Sequence, residues 1–179
     1  MPETLTTALP LRYMATGAVG DAPCHMKSIR LLVVGQIKTA WFREAAAHYL
    51  TALRRHIPAE EIVVRDGKAE QPLRRKAEEG QALLARLTPR DFFVVCDEGG
   101  RSLASRDLAG WLRRQLEDPG RQPVFVVGGP HGLPPEVLAR ADMVLALGPG
   151  TLPHELARVV LYEQLYRAAT ILVGAPYHH

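Results

Sequence analysis

Features that would tie this chain to a membrane, a secretory route or a metal-held scaffold are missing from its 179 residues. The longest apolar runs are strand-sized and fall well short of the roughly 18 consecutive residues that a membrane span needs. Residues 1–10 hold no basic cluster leading into an apolar run and no small-residue cleavage pattern, so the cytoplasm is the expected location. Only two cysteines are present, Cys24 in a proline-bearing leader and Cys96 closing the run Phe92-Phe93-Val94-Val95. Their unlike settings give no disulfide framework and no metal site, and Cys96 reads as a small buried side chain. Charge of one sign is scarce as well. Against 19 Asp and Glu stand 22 Lys and Arg, for a formal +3 and a pI near 9.1, which permits an anionic partner without demanding one. Neither a Gly-x-x-x-x-Gly-Lys-Ser/Thr loop nor a Gly-x-Gly-x-x-Gly after the first apolar run occurs, which argues against ATP hydrolysis and dinucleotide chemistry.

What is present is an alternation of short apolar runs and helical patterns. Residues 1–25, with Glu3, Arg12 and Asp21 as their only Asp, Glu, Lys or Arg and no clear period, read as a disordered extension ahead of a domain over 26–179. Strands are expected at Ile29 to Val34, Glu61 to Arg65, Phe92 to Cys96, Val124 to Val127 and Met143 to Leu147. The Phe92 and Val124 runs are apolar throughout, as strands covered on both faces are, and should be central. Helices are expected from Ala40 to His56, Leu73 to Leu87 (ended by Pro89), a start capped by Ser102 or Ser105 to Leu116, Pro134 to Arg140, and Pro153 to Ala169. Repeated βα units of this kind predict an α/β fold with a mostly parallel sheet flanked by helices, and ligands binding beyond the carboxyl ends of the strands.

Three glycine-bearing loops follow three of those strands: Asp97-Glu98-Gly99-Gly100, Gly128-Gly129-Pro130-His131-Gly132 and Gly148-Pro149-Gly150-Thr151-Leu152-Pro153. Any one of them reads equally well as plain chain reversal. Together they let backbone amides and carbonyls approach a flat ligand closely and outline one pocket.

The segments Val126-Val127-Gly128-Gly129-Pro130-His131-Gly132, Thr151-Leu152-Pro153-His154-Glu155-Leu156-Ala157-Arg158, Glu163-Gln164-Leu165-Tyr166-Arg167-Ala168 and Pro176-Tyr177-His178 resemble the ribosomal RNA large subunit pseudouridine N3-methyltransferase H family, minimal enzymes of the SPOUT superfamily. The resemblance runs from Met26 to the end of the chain. It implies a deep-trefoil-knot α/β fold, an obligate homodimer, S-adenosylmethionine as methyl donor, and as substrate a pseudouridine of 23S rRNA within the ribosome. Matched by motif, it places the donor on Cys96, Gly129 and the loop Gly148, Pro149, Gly150, Thr151, Leu152 and Pro153. On the substrate side it implies roles for Arg167, Tyr177 and His178, the tail lying beside the partner's knot.

Arg167 can grip a phosphate with two hydrogen bonds or form a helix-end salt bridge, and Tyr177 can stack on a base. N3 of pseudouridine becomes nucleophilic on losing its proton, so the reaction needs positioning and a base rather than a covalent cysteine or a metal. His178, with an ordinary pKa of about 6.5, is the candidate base. His131 and His154 read as loop-structuring residues. Gly174-Ala175 stands where the family commonly has Asn-His, and His179 stands where a Lys or Arg usually follows. A fixed positive charge is thereby lost from the tail. Other readings of the same residues are a SPOUT enzyme acting on another RNA such as tRNA, or a ribosome-binding module without catalysis.

Overall fold

A computed structural model describes residues 27–177. The expectations for residues 1–25, His178 and His179 lie outside the described residues. Five strands, β1 (Ile29–Val34), β2 (Ala59–Val64), β3 (Asp91–Ser102), β4 (Gln122–Val127) and β5 (Met143–Ala146), form one sheet in the order β2-β1-β4-β3-β5. Every pairing within it is parallel. Five helices connect and follow the strands: α1 (Ala40–Arg54), α2 (Pro72–Leu84), α3 (Ser105–Glu117), α4 (Pro135–Ala139) and α5 (His154–Val173).

Alternation along each strand splits the core into two layers. Leu31, Val33, Val94, Phe125 and Val127 meet Leu50 and Leu53 of α1, Leu108 and Leu112 of α3, and Leu161, Leu165 and Ala168 of α5. On the other face Leu32, Val34, Phe93, Val95, Val124 and Val126 meet Leu83 of α2 and Val137 of α4. As the uninterrupted apolar runs require, β4 and β3 lie inside the sheet and β2 and β5 at its edges. Helix α5 packs against both α1 and α3, so it is apolar on most of its circumference rather than along one stripe.

Several boundaries differ from the sequence expectation. Helix α5 continues to Val173, where Gly174 takes the left-handed conformation (φ 68°) that ends helices, and Ala175 N–H closes onto the Thr170 carbonyl. Neither Ser102 nor Ser105 caps α3: Ala104 occupies the cap without a side-chain bond, and Ser105 is already helical. Helix α2 ends at Leu84, three residues short of Leu87, because the chain tightens into turns closed by Arg86 N–H on Leu83 and Leu87 N–H on Leu84, so Pro89 terminates nothing. Strand β3 runs past Cys96 to Ser102. Cys96 and Arg101 both stand opposite Leu145, and residues 97–100 bulge out between them.

Candidate functional site

Because the sheet is parallel, the loops after β3, β4 and β5 emerge at one end, and these three strands adjoin in the order β4-β3-β5. There they enclose a cavity of about 790 Å³, within the range of small-molecule sites. Its wall takes in Cys96, Gly129, Gly148, Gly150, Thr151, Leu152 and Pro153, so seven of the eight expected donor contacts come together. Pro149 does not line it; this residue is exposed, on the outside of its loop.

Sequence reading missed several lining residues. Leu133, Leu138 and Ala157 add apolar surface and Lys76 arrives from α2, while Asp97 and Glu98, from the expected Asp97-Glu98-Gly99-Gly100 loop, bring carboxylates on the β3 bulge. His131 and His154, expected only to structure loops, also line the cavity. Lys76 carries no sequence signal of its own, since nothing local to α2 reports a neighbour in the β4 loop.

The walls are held from behind. The Thr151 hydroxyl donates to Glu98, joining the β5 loop to the β3 bulge. Glu155, in the first turn of α5, accepts the backbone N–H groups of Lys38 (2.7 Å) and Thr39 (3.3 Å), and hydrogen bonds from Thr39 and Lys38 hold its carboxyl below the ordinary glutamate range. One turn on, Arg158 is 5% exposed and donates to Glu61 (Nη2, 2.7 Å) and the Gly35 carbonyl (3.0 Å), while Tyr162 donates to the same Glu61. Glu79 of α2, 2% exposed, accepts from Gly67 N–H with Oε1. Its Oε2 has no partner and abuts Gly129 so closely that a Cβ there would lie 2.6 Å from it. Glycine at 129 is thus a packing requirement.

The cavity combines apolar surface with charge of both signs. Val127, Leu133, Leu138, Leu147 and Leu152 offer apolar surface, while Asp97, Glu98 and Lys76 offer both signs of charge. A Cβ added at Gly148 or Gly150 would meet nothing within 4 Å, so both glycines border open space that a ligand can fill. Burial pushes the Cys96 thiol up to about 12, with the Asp97 carboxylate adding to the shift, so it is protonated at neutral pH and no nucleophile.

Arg167 and Tyr177 come together elsewhere, and neither lines the cavity. Arg167 lies ten residues along α5 from Ala157, about 15 Å of helix. It donates to Glu163 through Nε (2.9 Å) and Nη2 (2.5 Å), which is the helix salt bridge, and stacks over the Tyr177 ring at 4.9 Å. Tyr166 packs on Tyr177 at 4.5 Å and on His56 at 5.9 Å. Burial pushes the Tyr177 phenol up to about 12, reinforced by Tyr49 and Glu163 and opposed by Arg167, so Tyr177 stays protonated and cannot act as a base near neutrality.

Ribosomal RNA large subunit methyltransferase H of Solidesulfovibrio magneticus is 68% identical to this chain over 154 residues, covering 86% of the chain and 100% of that protein. The enzyme of the same name from Nitratidesulfovibrio vulgaris is 51% identical over 155 residues, covering 86% and 99%. Among solved structures, a probable methyltransferase of Bordetella pertussis matches the fold alone, with a TM-score of 0.51 at 17% identity over 80% of this chain and 97% of that one. The family model described as predicted SPOUT methyltransferase matches residues 26–178, and the chain belongs to that family.

Proposed function

We propose that this protein transfers a methyl group from S-adenosylmethionine to N3 of a pseudouridine in 23S rRNA, on the assembled ribosome, as a cytoplasmic homodimer. The observation that carries the reading is the 68% identity to a ribosomal RNA large subunit methyltransferase H along that protein's whole length, with the three-loop cavity at the place the donor would need. The trefoil knot implied by the resemblance belongs to the same reading.

Bound in the cavity, S-adenosylmethionine would supply a methyl group on a positively charged sulfur, open to in-line attack. The chain's own part is to hold reactants in line and manage one proton. Backbone groups of the Gly128–Gly132 and Gly148–Pro153 loops and the end of β3 would hold the donor, and Asp97 and Glu98 share that cavity wall. The Cys96 thiol stays neutral, so transfer is direct. The chain would take up the proton that N3 loses, and His178 is the candidate base. Arg167 and Tyr177 serve the RNA from the second subunit, which accounts for their distance from the cavity of their own chain.

Purified protein incubated with labelled S-adenosylmethionine and ribosomes lacking the modification should yield methylpseudouridine by nucleoside mass spectrometry, with free rRNA a poor substrate. Donor binding without methyl transfer to ribosomes would point to another RNA such as tRNA, and absence of donor binding to a non-catalytic module. Full turnover by His178→Ala at saturating ribosomes would remove that residue as the base.

A further inference from the structure

The segment joining β2 to α2, taken together with the first turn of α2, stands out by charge. Residues 65–76 carry Arg65, Lys68, Arg74, Arg75 and Lys76 against Asp66 and Glu70, a net +3 that equals the formal charge of the entire chain. Arg30, Arg121, Arg158 and Arg167 make the salt bridges among the described residues, so none of the segment's cations is paired in this way. Arg65, Lys68 and Arg74 are exposed, and Leu73 beside them is 81% exposed, so this turn of α2 stands clear of the core.

The segment is nevertheless fixed. Glu78 accepts the backbone N–H groups of Lys68 (2.8 Å) and Ala69 (3.3 Å), Glu79 accepts that of Gly67 (3.1 Å), and Arg75 Nε donates back to the Ala69 carbonyl (2.9 Å). Helix α2 in turn is seated on the cavity wall. Glu79 abuts Gly129, and Gly80 lies so close to Pro134 that a Cβ would fall 2.3 Å from its ring. Lys76 completes the path by lining the cavity itself. A row of unpaired cations therefore begins on a rigid loop and ends at the donor site.

Resting on the proposed function, we infer that the β2–α2 segment is the surface on which the RNA backbone flanking the target nucleoside docks, with Lys68, Arg74 and Arg65 meeting phosphates and Lys76 meeting those nearest the cavity. An anionic polymer is the partner this surface fits, since cations spaced along a pinned loop match a repeating charge. RNA is favoured over an acidic protein because the row leads into the cavity where the nucleoside must reach the donor. Holding the loop in advance removes an ordering cost from binding.

The test uses the full-length Lys68→Glu/Arg74→Glu variant and a control, Arg86→Glu/Arg90→Glu, that makes the same charge change at exposed positions at the opposite end of the sheet. Binding of purified large ribosomal subunits is measured between about 50 and 200 mM salt, beside methyl transfer and calorimetry with S-adenosylmethionine. The Lys68/Arg74 variant should bind subunits at least tenfold more weakly, with a log–log salt slope flatter by about 1 to 2, two lost phosphate contacts at 0.7 to 0.9 each. Its S-adenosylmethionine affinity should match the parent's, and the control should lose no more than about twofold. Equal losses in both variants, an unchanged slope, or no binding of subunits by the parent would overturn the inference. Parent protein that binds subunits but methylates none would sink the proposed function alone, and the binding comparison would still decide the inference.

Discussion

The two ends of the sheet handle charge in opposite ways. Where the strands begin, charges are used in pairs. Arg30 donates to Asp91 (2.9 Å), Asp91 also accepts Thr88 N–H (2.7 Å), and Arg121 joins the Asp91 carbonyl (2.6 Å) to Asp142 (2.5 Å) while lying over the Phe92 ring. Asp142 takes Phe93 N–H as well (2.8 Å), and Lys27 donates to the Arg121 carbonyl (2.5 Å). Where the strands end, Arg158 and Glu61 still pair behind the wall, but glycine loops surround a cavity, and among the described residues one buried glutamate oxygen has no partner and the cations of residues 65–76 make no salt bridge. Polar groups satisfied by one another have little left for a ligand, whereas at the open end Glu79 Oε2 and the cations of residues 65–76 are left over from such pairing among the described residues.

Breaking the stitched end should have the largest effect. Asp91 is 5% exposed, and Asp91→Ala leaves Arg30 without its partner in a site where its side chain is only 14% exposed. Loss of one member of such a pair costs about 3 to 5 kcal/mol, which corresponds to a Tm lower by roughly 10 °C in a chain of this size. Below that temperature, S-adenosylmethionine affinity should be unchanged, and a joint loss would mean that the two ends are not separable. Gly129→Ala acts in the converse sense. Its Cβ would lie 2.6 Å from Glu79 Oε2 and 3.1 Å from Val34, so either the buried Glu79 carboxylate turns or the loop moves off the wall, and both alter the cavity. Donor affinity should fall at least about tenfold, roughly 1.4 kcal/mol, with a stability loss of about 1 to 3 kcal/mol. Calorimetry on both variants tests the pair of claims together.

How legible these ends were in sequence differs too. The central strands could be read because Phe92 to Cys96 and Val124 to Val127 are apolar at every step, a pattern that reports burial on both faces. The loops around the cavity are legible as glycine clusters after strands, and seven of the eight residues named from the resemblance meet there. Strand order was not, since no local period encodes which strands become neighbours. Lys76 and Glu79 escaped for the same reason: each meets the β4 loop across some fifty residues of chain. Helix ends were misplaced where tertiary contacts outweighed capping chemistry, as at Ala104, and where buried packing carried α5 beyond Ala169. The stitching residues carry no local signal, because Asp91, Arg121 and Asp142 acquire partners only when strands are laid side by side.

A smaller effect distinguishes the ends by pH. Asp142 is pushed up by burial but more strongly down by Arg121 and Phe93 N–H, for a folded pKa below the ordinary aspartate value. Its contribution is therefore complete above about pH 4 and is lost as pH falls through the depressed folded value. With the carboxylate partly exposed, solvent limits this to about 1 kcal/mol or less. In acid titrations followed by circular dichroism, Asp142→Asn should unfold with a shallower dependence on pH below 4 than the parent, while near pH 7 the two differ slightly. An unchanged acid limb would remove Asp142 from the stitching.

The least effect is expected at the boundary between the two ends. Cys96 is the last residue of β3 in register with both neighbours, opposite Val127 and Leu145, before residues 97–100 leave the sheet. It lines the cavity, and burial pushes its thiol up to about 12, which holds it neutral at pH 7. A thiol in that state can pack against a ligand but cannot attack it. Cys96→Ala should retain methyl transfer within about threefold, the pH profile should show no step that the substitution removes, and iodoacetamide should modify the parent far more slowly than free cysteine. A loss of a hundredfold or more with the fold intact would place chemistry on β3 itself, and the division between a paired end that only supports and a loop end that only binds would have to be abandoned.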